Sequence, residues 1–305
     1  MRSRKWVLVA VLVLISLPVV LAVTDAVSYQ IRNRHNGALV SSGATREYVL
    51  YVPGSYDGTK PVPLVISLHG AALGGAAHRE ISQWDEVADR EGLIVVYPSG
   101  LGGRGPRAWR ADGSVSRDVI FISDLIDRLK AAYNIEPARI YANGLSNGGG
   151  MSFALSCTLS DRIAAVGMVG AAYLRPFSSC ADMRPMPMIA FHGTADRFTS
   201  YQGGKSWVAP NPFPNIRTWT AQWGQRNQCG PEPVESVVAA DVTRLEYPDC
   251  AAGADVVLYT IRDGGHTWPG GGPLPEWFVG PSSTAIDATG TMWEFFREHP
   301  LRRLR

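Results

Sequence analysis

The chain has 305 residues, 46% of them hydrophobic and 18% charged, with a formal net charge of +2. This is the balance of a globular protein with ample core, and it excludes an intrinsically disordered chain. The small basic excess sits at the two ends and leaves no nucleic-acid footprint, while the length suits a single α/β domain with loop insertions.

Arg2, Arg4 and Lys5 precede an apolar run without charge from Trp6 to Val23, the layout of an export signal. Val20-Leu21-Ala22 and Thr24-Asp25-Ala26 both offer cleavage sites. The run is also just long enough to span a bilayer if it is not cleaved. The expected organisation is a signal peptide or signal anchor over 1–26, then one catalytic domain over 27–305. That domain is expected to be secreted or periplasmic, meeting a membrane only through an uncleaved leader. The four cysteines Cys157, Cys180, Cys229 and Cys250 agree with export. They contain no C-x-x-C pair, which argues against a zinc site, and no other metal or organic cofactor is expected. Three pairings are open, and sequence neighbours favour Cys157–Cys180 and Cys229–Cys250. Each would close a loop of about 22–24 residues, worth roughly 3 kcal/mol.

Arg46 to Pro53 alternates like an early strand, and Pro61 to His69 reads as a buried one. His69-Gly70-Ala71-Ala72-Leu73-Gly74-Gly75 follows, a loop of small residues that lets backbone N–H groups approach an anion. His78 opens an expected surface helix, and a helix through Trp84, Val87 and Ala88 ends at Gly92. Leu93 to Pro98 is the next buried strand. Gly100 to Ser116, rich in Gly and Arg around Trp109, is expected as a loop near a site mouth. Val119, Ile122, Leu125, Ile126 and Leu129 recur at helical spacing over Asp118 to Tyr133. Strands follow at Ala164–Gly170, Met186–Phe191 and Val256–Ile261, with a closing helix over Thr284–Phe296. Gly203 to Val242, with Trp207, Trp219 and Trp223, is the least regular stretch and is expected to form a small insertion over the site. Alternating strands and helices imply an α/β fold with a mostly parallel central sheet and helices on both faces.

A β-rich run from Ile140 ends in Gly144-Leu145-Ser146-Asn147-Gly148, and an apolar segment with helical character, Met151 to Leu159, follows directly. A strand that turns at once into a helix carries its apex residue over a strained bend, and glycines flank it because a Cβ there would collide. Ser146 then presents its hydroxyl beside a helix N-terminus, as a nucleophile requires. A serine needs a base and an orienting acid. Of the six histidines, His35 and His299 lie near the chain ends, and His69 and His192 end apolar runs as structural residues. His266 sits in the glycine-rich loop Gly264–Gly270 after a late strand, where a base belongs. Asp196, in His192-Gly193-Thr194-Ala195-Asp196, is the candidate acid. Asp263 is its rival but shares the histidine's own loop, and Asp255 starts a strand expected at the far edge of the sheet. The order Ser146, Asp196, His266 is that of the α/β-hydrolase fold.

With these residues assembled, the chain resembles the esterase family that includes poly(3-hydroxybutyrate) depolymerases, secreted feruloyl esterases and acetylxylan esterases. Leu68-His69-Gly70, Gly144 to Gly149, His192 to Asp196 and Gly264 to Gly271 carry the resemblance, across about Glu47 to Glu298. It implies Ser146 as nucleophile, Asp196 as acid and His266 as base, acting on an ester substrate through an acyl-enzyme. The backbone of Ala71 and Asn147 would form the oxyanion hole, and Trp109 and Trp268 would line the substrate cleft. Two departures stand out. Ala71-Ala72-Leu73 intervene where the family has one small residue, and Arg110 replaces a polar amide. A polyhydroxybutyrate depolymerase-like activity is expected, with feruloyl or acetyl-xylan esterase as the alternative. An acyltransferase on the same triad, or a non-catalytic binding protein on a hydrolase fold, are the other readings.

Overall fold

The computed structural model describes residues 35–102, 107–110, 116–172, 177, 180 and 184–302. The expected leader at 1–26 and parts of the Gly100–Ser116 loop lie outside the described residues. Residues Asn36–Arg305 form one compact unit, and among the described residues no helix is long and apolar enough to cross a membrane.

A ten-stranded sheet organises the chain. Its strands are β1 (Gly37–Ser41), β2 (Ala44–Tyr51), β3 (Val62–Leu68), β4 (Ile94–Pro98), β5 (Ile135–Leu145), β6 (Val166–Val169), β7 (Met188–Gly193), β10 (Val234–Ala239), β11 (Val242–Tyr247) and β12 (Val256–Ile261). Strands β8 (Gly204–Ser206) and β9 (Ala209–Phe213) pair apart as a hairpin. The order is β1-β2-β4-β3-β5-β6-β7-β12-β11-β10. The six central strands from β4 to β12 are parallel to one another, and an antiparallel pair extends each edge.

Parallel strands covered on both faces read as unbroken apolar runs, and Leu64, Val65, Ile66, Ile94, Val95 and Val96 are all fully buried. Alternate residues feed opposite cores. Leu64, Ile66 and Ile94 meet α3 (Arg117–Ala132), α4 (Asn147–Thr158) and α5 (Ile216–Arg226). Val65, Val95 and Tyr97 meet α1 (Gly75–Ser82), α2 (Trp84–Glu91) and α7 (Ala288–Glu298). Helix α3 starts where the Ser116 hydroxyl accepts the Val119 N–H at 3.2 Å, an N-cap that satisfies one of the first-turn donors.

Three expectations are corrected. The stretch from Gly203 to Val242 is not one insertion: α5 buries Trp219 and Trp223, and only the β8–β9 hairpin leaves its tryptophan, Trp207, exposed at 73%. The buried Ile216, Trp219, Thr220 and Trp223 of α5 stand at i, i+3, i+4 and i+7, the spacing of an amphipathic helix, so the signal for it lay in the sequence. His78 is not a surface residue, because α1 packs it fully buried beside Ser67, 3.0 Å away. Asp255 precedes a strand inside the sheet rather than at its edge, and its carboxylate meets His299 at 3.0 Å.

Cys157 is bonded to Cys180 and Cys229 to Cys250, and no cysteine among the described residues is free. The first ties the end of α4 to the segment before β7, and the second brackets the β10–β11 hairpin. With sequence separations of 23 and 21, each constrains the unfolded chain by about 3 kcal/mol. Replacing either pair by two serines should therefore lower the denaturant-derived unfolding free energy by roughly that amount. A change well under about 1 kcal/mol for both pairs would show that the bridges do not stabilise the fold.

Candidate active site

Strand β5 runs into α4 through Ser146, whose backbone sits at φ 55° and ψ −119°. A serine at positive φ is strained by about 1–3 kcal/mol and persists only where its surroundings over-determine it. Those surroundings are backbone. A Cβ on Gly148 would lie 2.1 Å from the Leu68 carbonyl oxygen, and one on Gly144 would lie 2.4 Å from the Gly148 carbonyl carbon. Gly149 has Ala171 Cβ 2.5 Å from where its own Cβ would stand. The Ser146 N–H donates to Val169 O at 2.8 Å, and Gly150 N–H donates to Ser146 O at 3.0 Å. The bend is thus locked from both sides, and α4 points its N-terminus, with its partial positive charge, at the Ser146 position.

Asp196 and His266 meet across two loops that pack backbone against backbone. Ala195 N–H donates to Gly264 O at 2.9 Å, and a Cβ on Gly193 would stand 2.1 Å from the same oxygen. Asp196 Oδ2 accepts from His266 Nδ1 at 2.7 Å. Its Oδ1 accepts the backbone N–H groups of Phe198 and Thr199, both at 2.8 Å. A carboxylate on Nδ1 holds the proton there and leaves Nε2 as the basic nitrogen. His192, fully buried, donates from Nε2 to Thr199 O at 2.7 Å and lies 3.4 Å from Asp196 Oδ2. Burial by itself would raise the Asp196 pKa. The hydrogen bond and charge of His266, with His192 and the Thr199 N–H, outweigh it and hold the carboxyl below its ordinary range. Asp263 is exposed, at φ 58°, and its N–H donates to Thr194 Oγ1 at 2.8 Å.

Gly170 joins the two halves. It follows Val169, the residue that accepts the Ser146 N–H, at φ +54°. A Cβ there would come within 3.1 Å of His266 Nδ1 and 3.4 Å of Asp196 Oδ2. Strand β6 therefore brings Ser146 on one side and the Asp196–His266 pair on the other to a single glycine. Nothing in the local sequence around Gly170 distinguishes it from a strand-end glycine.

A third wall comes from the His69 loop. Gly70 lies against Ser146, with 3.6 Å between an added Cβ and the serine's own. Ala72 N–H donates to Arg107 O at 2.7 Å and Leu73 N–H to Gly70 O at 3.2 Å, while Ala71 is exposed. Trp109 straps this loop to the bend. Its N–H donates to Asn147 Oδ1 at 2.6 Å, Asn147 Nδ2 donates to Trp109 O at 3.1 Å, and the indole N–H donates to His69 O at 2.9 Å. Burial pulls His69 down to about 4, so it is neutral at pH 7, donating from Nδ1 to Gly70 O and accepting Gly100 N–H on Nε2. Arg110 N–H is taken by Asp118 Oδ2 at 2.7 Å, whose Oδ1 is paired with Arg46 at 2.6 Å.

These positions correct two expectations. Trp109 is 3% exposed and Trp268 is 1% exposed, so neither ring lines an open cleft. Trp268 donates its indole N–H to Thr289 Oγ at 2.8 Å and packs edge-on against His78. Both tryptophans satisfy their N–H groups inside the protein, as buried indoles do. Among the described residues, no group of three or more His, Cys, Asp or Glu side chains is placed to hold a metal ion.

The family model described as "Esterase PHB depolymerase" matches residues 46–192. Feruloyl esterase B of Piromyces equi is 32% identical over 230 residues, 72% of this chain and 42% of that protein. The chain thus spans less than half the length of that relative. A probable feruloyl esterase C of Aspergillus terreus is 30% identical over 258 residues, 82% of this chain and 83% of its own. Among solved structures, the acetyl xylan esterase of Aspergillus awamori aligns with a TM-score of 0.55 at 15% identity, over 73% of this chain and 89% of that one. That likeness speaks to fold alone, and the fold is the α/β-hydrolase fold.

A carboxyl whose folded pKa lies below its unfolded value of about 3.9 stabilises the fold above that value, and the contribution is lost as pH falls through the folded pKa. The unfolding free energy of Asp196→Asn should accordingly fall less steeply than that of the parent from about pH 5 downward. Equal slopes would show that Asp196 is not held below its ordinary range.

Proposed function

The chain belongs to the esterase family of poly(3-hydroxybutyrate) depolymerases, feruloyl esterases and acetylxylan esterases, and on that premise we propose that it is a carboxylic ester hydrolase working through Ser146, His266 and Asp196. The observation that carries this reading is the 2.7 Å Asp196–His266 pair meeting the strained serine bend at Gly170. His266 Nε2 takes the Ser146 hydroxyl proton as the oxygen attacks the ester carbonyl carbon. The negative charge that develops on the carbonyl oxygen lies between the N–H groups of Ala71 and Asn147, helped by the α4 dipole. The C–O bond then breaks, His266 returns the proton to the leaving alcohol, and the acyl group stays on Ser146. Water, deprotonated by His266, releases the acid and restores the serine. Asp196 orients the imidazole and stabilises it when charged.

Polyester cleavage of the poly(3-hydroxybutyrate) kind and hydrolysis of plant cell-wall esters both fit this centre. The similarity to a feruloyl esterase B and a probable feruloyl esterase C supports the second. Residues 27–305 form the catalytic domain in this reading. It works outside the cytoplasm, since the two disulfides suit an oxidising compartment and a basic, then apolar, leader precedes the domain.

Ser146→Ala should lower kcat about a million-fold with the fold intact, and Asp196→Asn about ten-thousand-fold. Asp263→Asn should cost little. Retained turnover in folded Ser146→Ala removes the nucleophile assignment, and a severe defect confined to the Asp263 variant transfers the acid role to that residue.

Gly170→Ala tests the junction. Its methyl group would press on His266 Nδ1 from 3.1 Å, at a backbone conformation alanine disfavours. Displacing the imidazole by a fraction of an ångström should reduce kcat by up to about a hundredfold, measured on one ester at fixed pH. An unchanged kcat would mean that β6 does not position the base.

A further inference from the structure

The Asp196 carboxylate is addressed by two histidines, of which the mechanism above uses one. His266 Nδ1 lies 2.7 Å from Oδ2, and His192 Nε2 lies 3.4 Å from the same oxygen. His192 stands in the last turn of chain before the acid, near the end of β7, and is 2% exposed. A strand-end histidine that only filled space would not need its N–H turned onto the loop that carries the acid. This one is turned there.

The orientation of the ring is fixed by its neighbours. Thr199 O, 2.7 Å from Nε2, and the Asp196 carboxylate can only accept, so Nε2 carries the proton. Burial holds His192 below the ordinary histidine range, which leaves it neutral at pH 7 and in that one tautomer. The Tyr201 ring meets the imidazole edge-on with centres 5.9 Å apart, and the Tyr201 hydroxyl is bonded to Thr260 Oγ1 at 2.7 Å. Thr260 is the residue opposite His192 where β12 pairs with β7. The sheet thus sets the ring, and the ring sets the loop.

Both carboxylate oxygens feel it. The Thr199 peptide whose oxygen accepts from His192 donates its N–H to Asp196 Oδ1 at 2.8 Å. One imidazole therefore governs Oδ1 through that peptide and faces Oδ2 directly. His266 is held separately, its N–H donating to Val279 O at 2.6 Å, at the end of the short helix α6 (Glu276–Val279). The Phe198 ring lies over its imidazole with centres 4.8 Å apart. The titratable side chains of this cluster are Asp196, His266, His192 and Tyr201, while Arg197, Asp263 and Glu276 on the surrounding loops and α6 are exposed. A carboxylate with fewer donors draws a proton onto a neighbouring imidazole more strongly. We infer that His192 is a positioning residue for the reaction: it fixes the rotation of the Asp196 carboxylate, takes up part of its charge, and so moderates its pull on His266. The inference rests on the hydrolase reading above.

The test is the pH profile of kcat/KM on p-nitrophenyl butanoate, whose acid limb reports protonation of the free enzyme's base. His192→Phe keeps a ring and removes the N–H. Its acid limb should stand about half a pH unit or more above the parent's, with plateau kcat about tenfold lower because Asp196 is freer to rotate. His192→Gln, whose amide N–H falls near the place of Nε2, should return both towards the parent. His192→Asn, whose shorter amide stops short of Thr199 O, should behave as the Phe variant and carries the comparison if that variant does not fold. A folded Phe or Asn variant with an unmoved acid limb, whatever its kcat, would make His192 a structural residue and overturn the inference. Loss of the fold in both, or a Gln variant no closer to the parent than they are, would do the same. A parent that does not hydrolyse the ester, or a Ser146→Ala variant as active as the parent, would instead bring down the hydrolase reading itself.

Discussion

The site depends on a contact no side chain could make: the carbonyl oxygen of Leu68, at the end of β3, against the α carbon of Gly148 in the first turn of α4. Strands β3 and β5 pair with Leu68 opposite Gly144, so both end at the same level and α4 must begin beneath the β3 terminus. A Cβ on Gly148 would sit 2.1 Å from that oxygen, far inside any real contact. With the helix this close, the chain has one residue in which to reverse direction, and Ser146 takes the strain at φ 55°. Fully buried parallel strands on both sides supply the rigidity that holds it there.

Polar groups buried around this bend serve position more than stability. Arg46 and Asp118 form an ion pair with side chains 1% and 5% exposed, and a buried pair is weak evidence of net stabilisation because both charges are desolvated. Their remaining bonds are more telling. Asp118 also takes the Arg110 N–H, and the Arg46 guanidinium lies 4.0 Å over Phe121. The pair fixes the end of the strap whose neighbour, Trp109, grips Asn147 and His69. Burial keeps His69 neutral, so its unprotonated Nε2 can accept the Gly100 N–H. A charged imidazole would lose that acceptor. The order runs from a core ion pair, through a strap, to the first residue of the helix behind the serine.

The same logic places Asp196. It is 5% exposed and would resist ionisation if alone. Two backbone N–H groups on one oxygen and His266 on the other reverse that preference. His192, read from sequence as a structural strand-end residue, stands 3.4 Å from the same carboxylate, so structural support and site geometry coincide at one side chain. The Phe198 ring over His266 is placed by these bonds too, since the Phe198 N–H is one of the two donors to Asp196.

What the sequence by itself determined follows from short-range rules. Apolar runs mark buried parallel strands, helical spacing over 118–133 marks α3, and glycines around Ser146 mark a bend where a Cβ would collide. Ser146, Asp196 and His266 could be singled out because each stands in a loop directly after a strand. The tertiary structure alone decided that Trp109 and Trp268 turn inward, that His78 is buried, and that Trp207 and Trp277 stay exposed. A tryptophan is equally apolar in any of these places, and its neighbours come from strands and loops far away in the chain. Gly170 shows the limit most clearly. It matters because β6 lies between β5 and β7 in the sheet, and strand order is set by long-range packing of whole layers that no local pattern encodes.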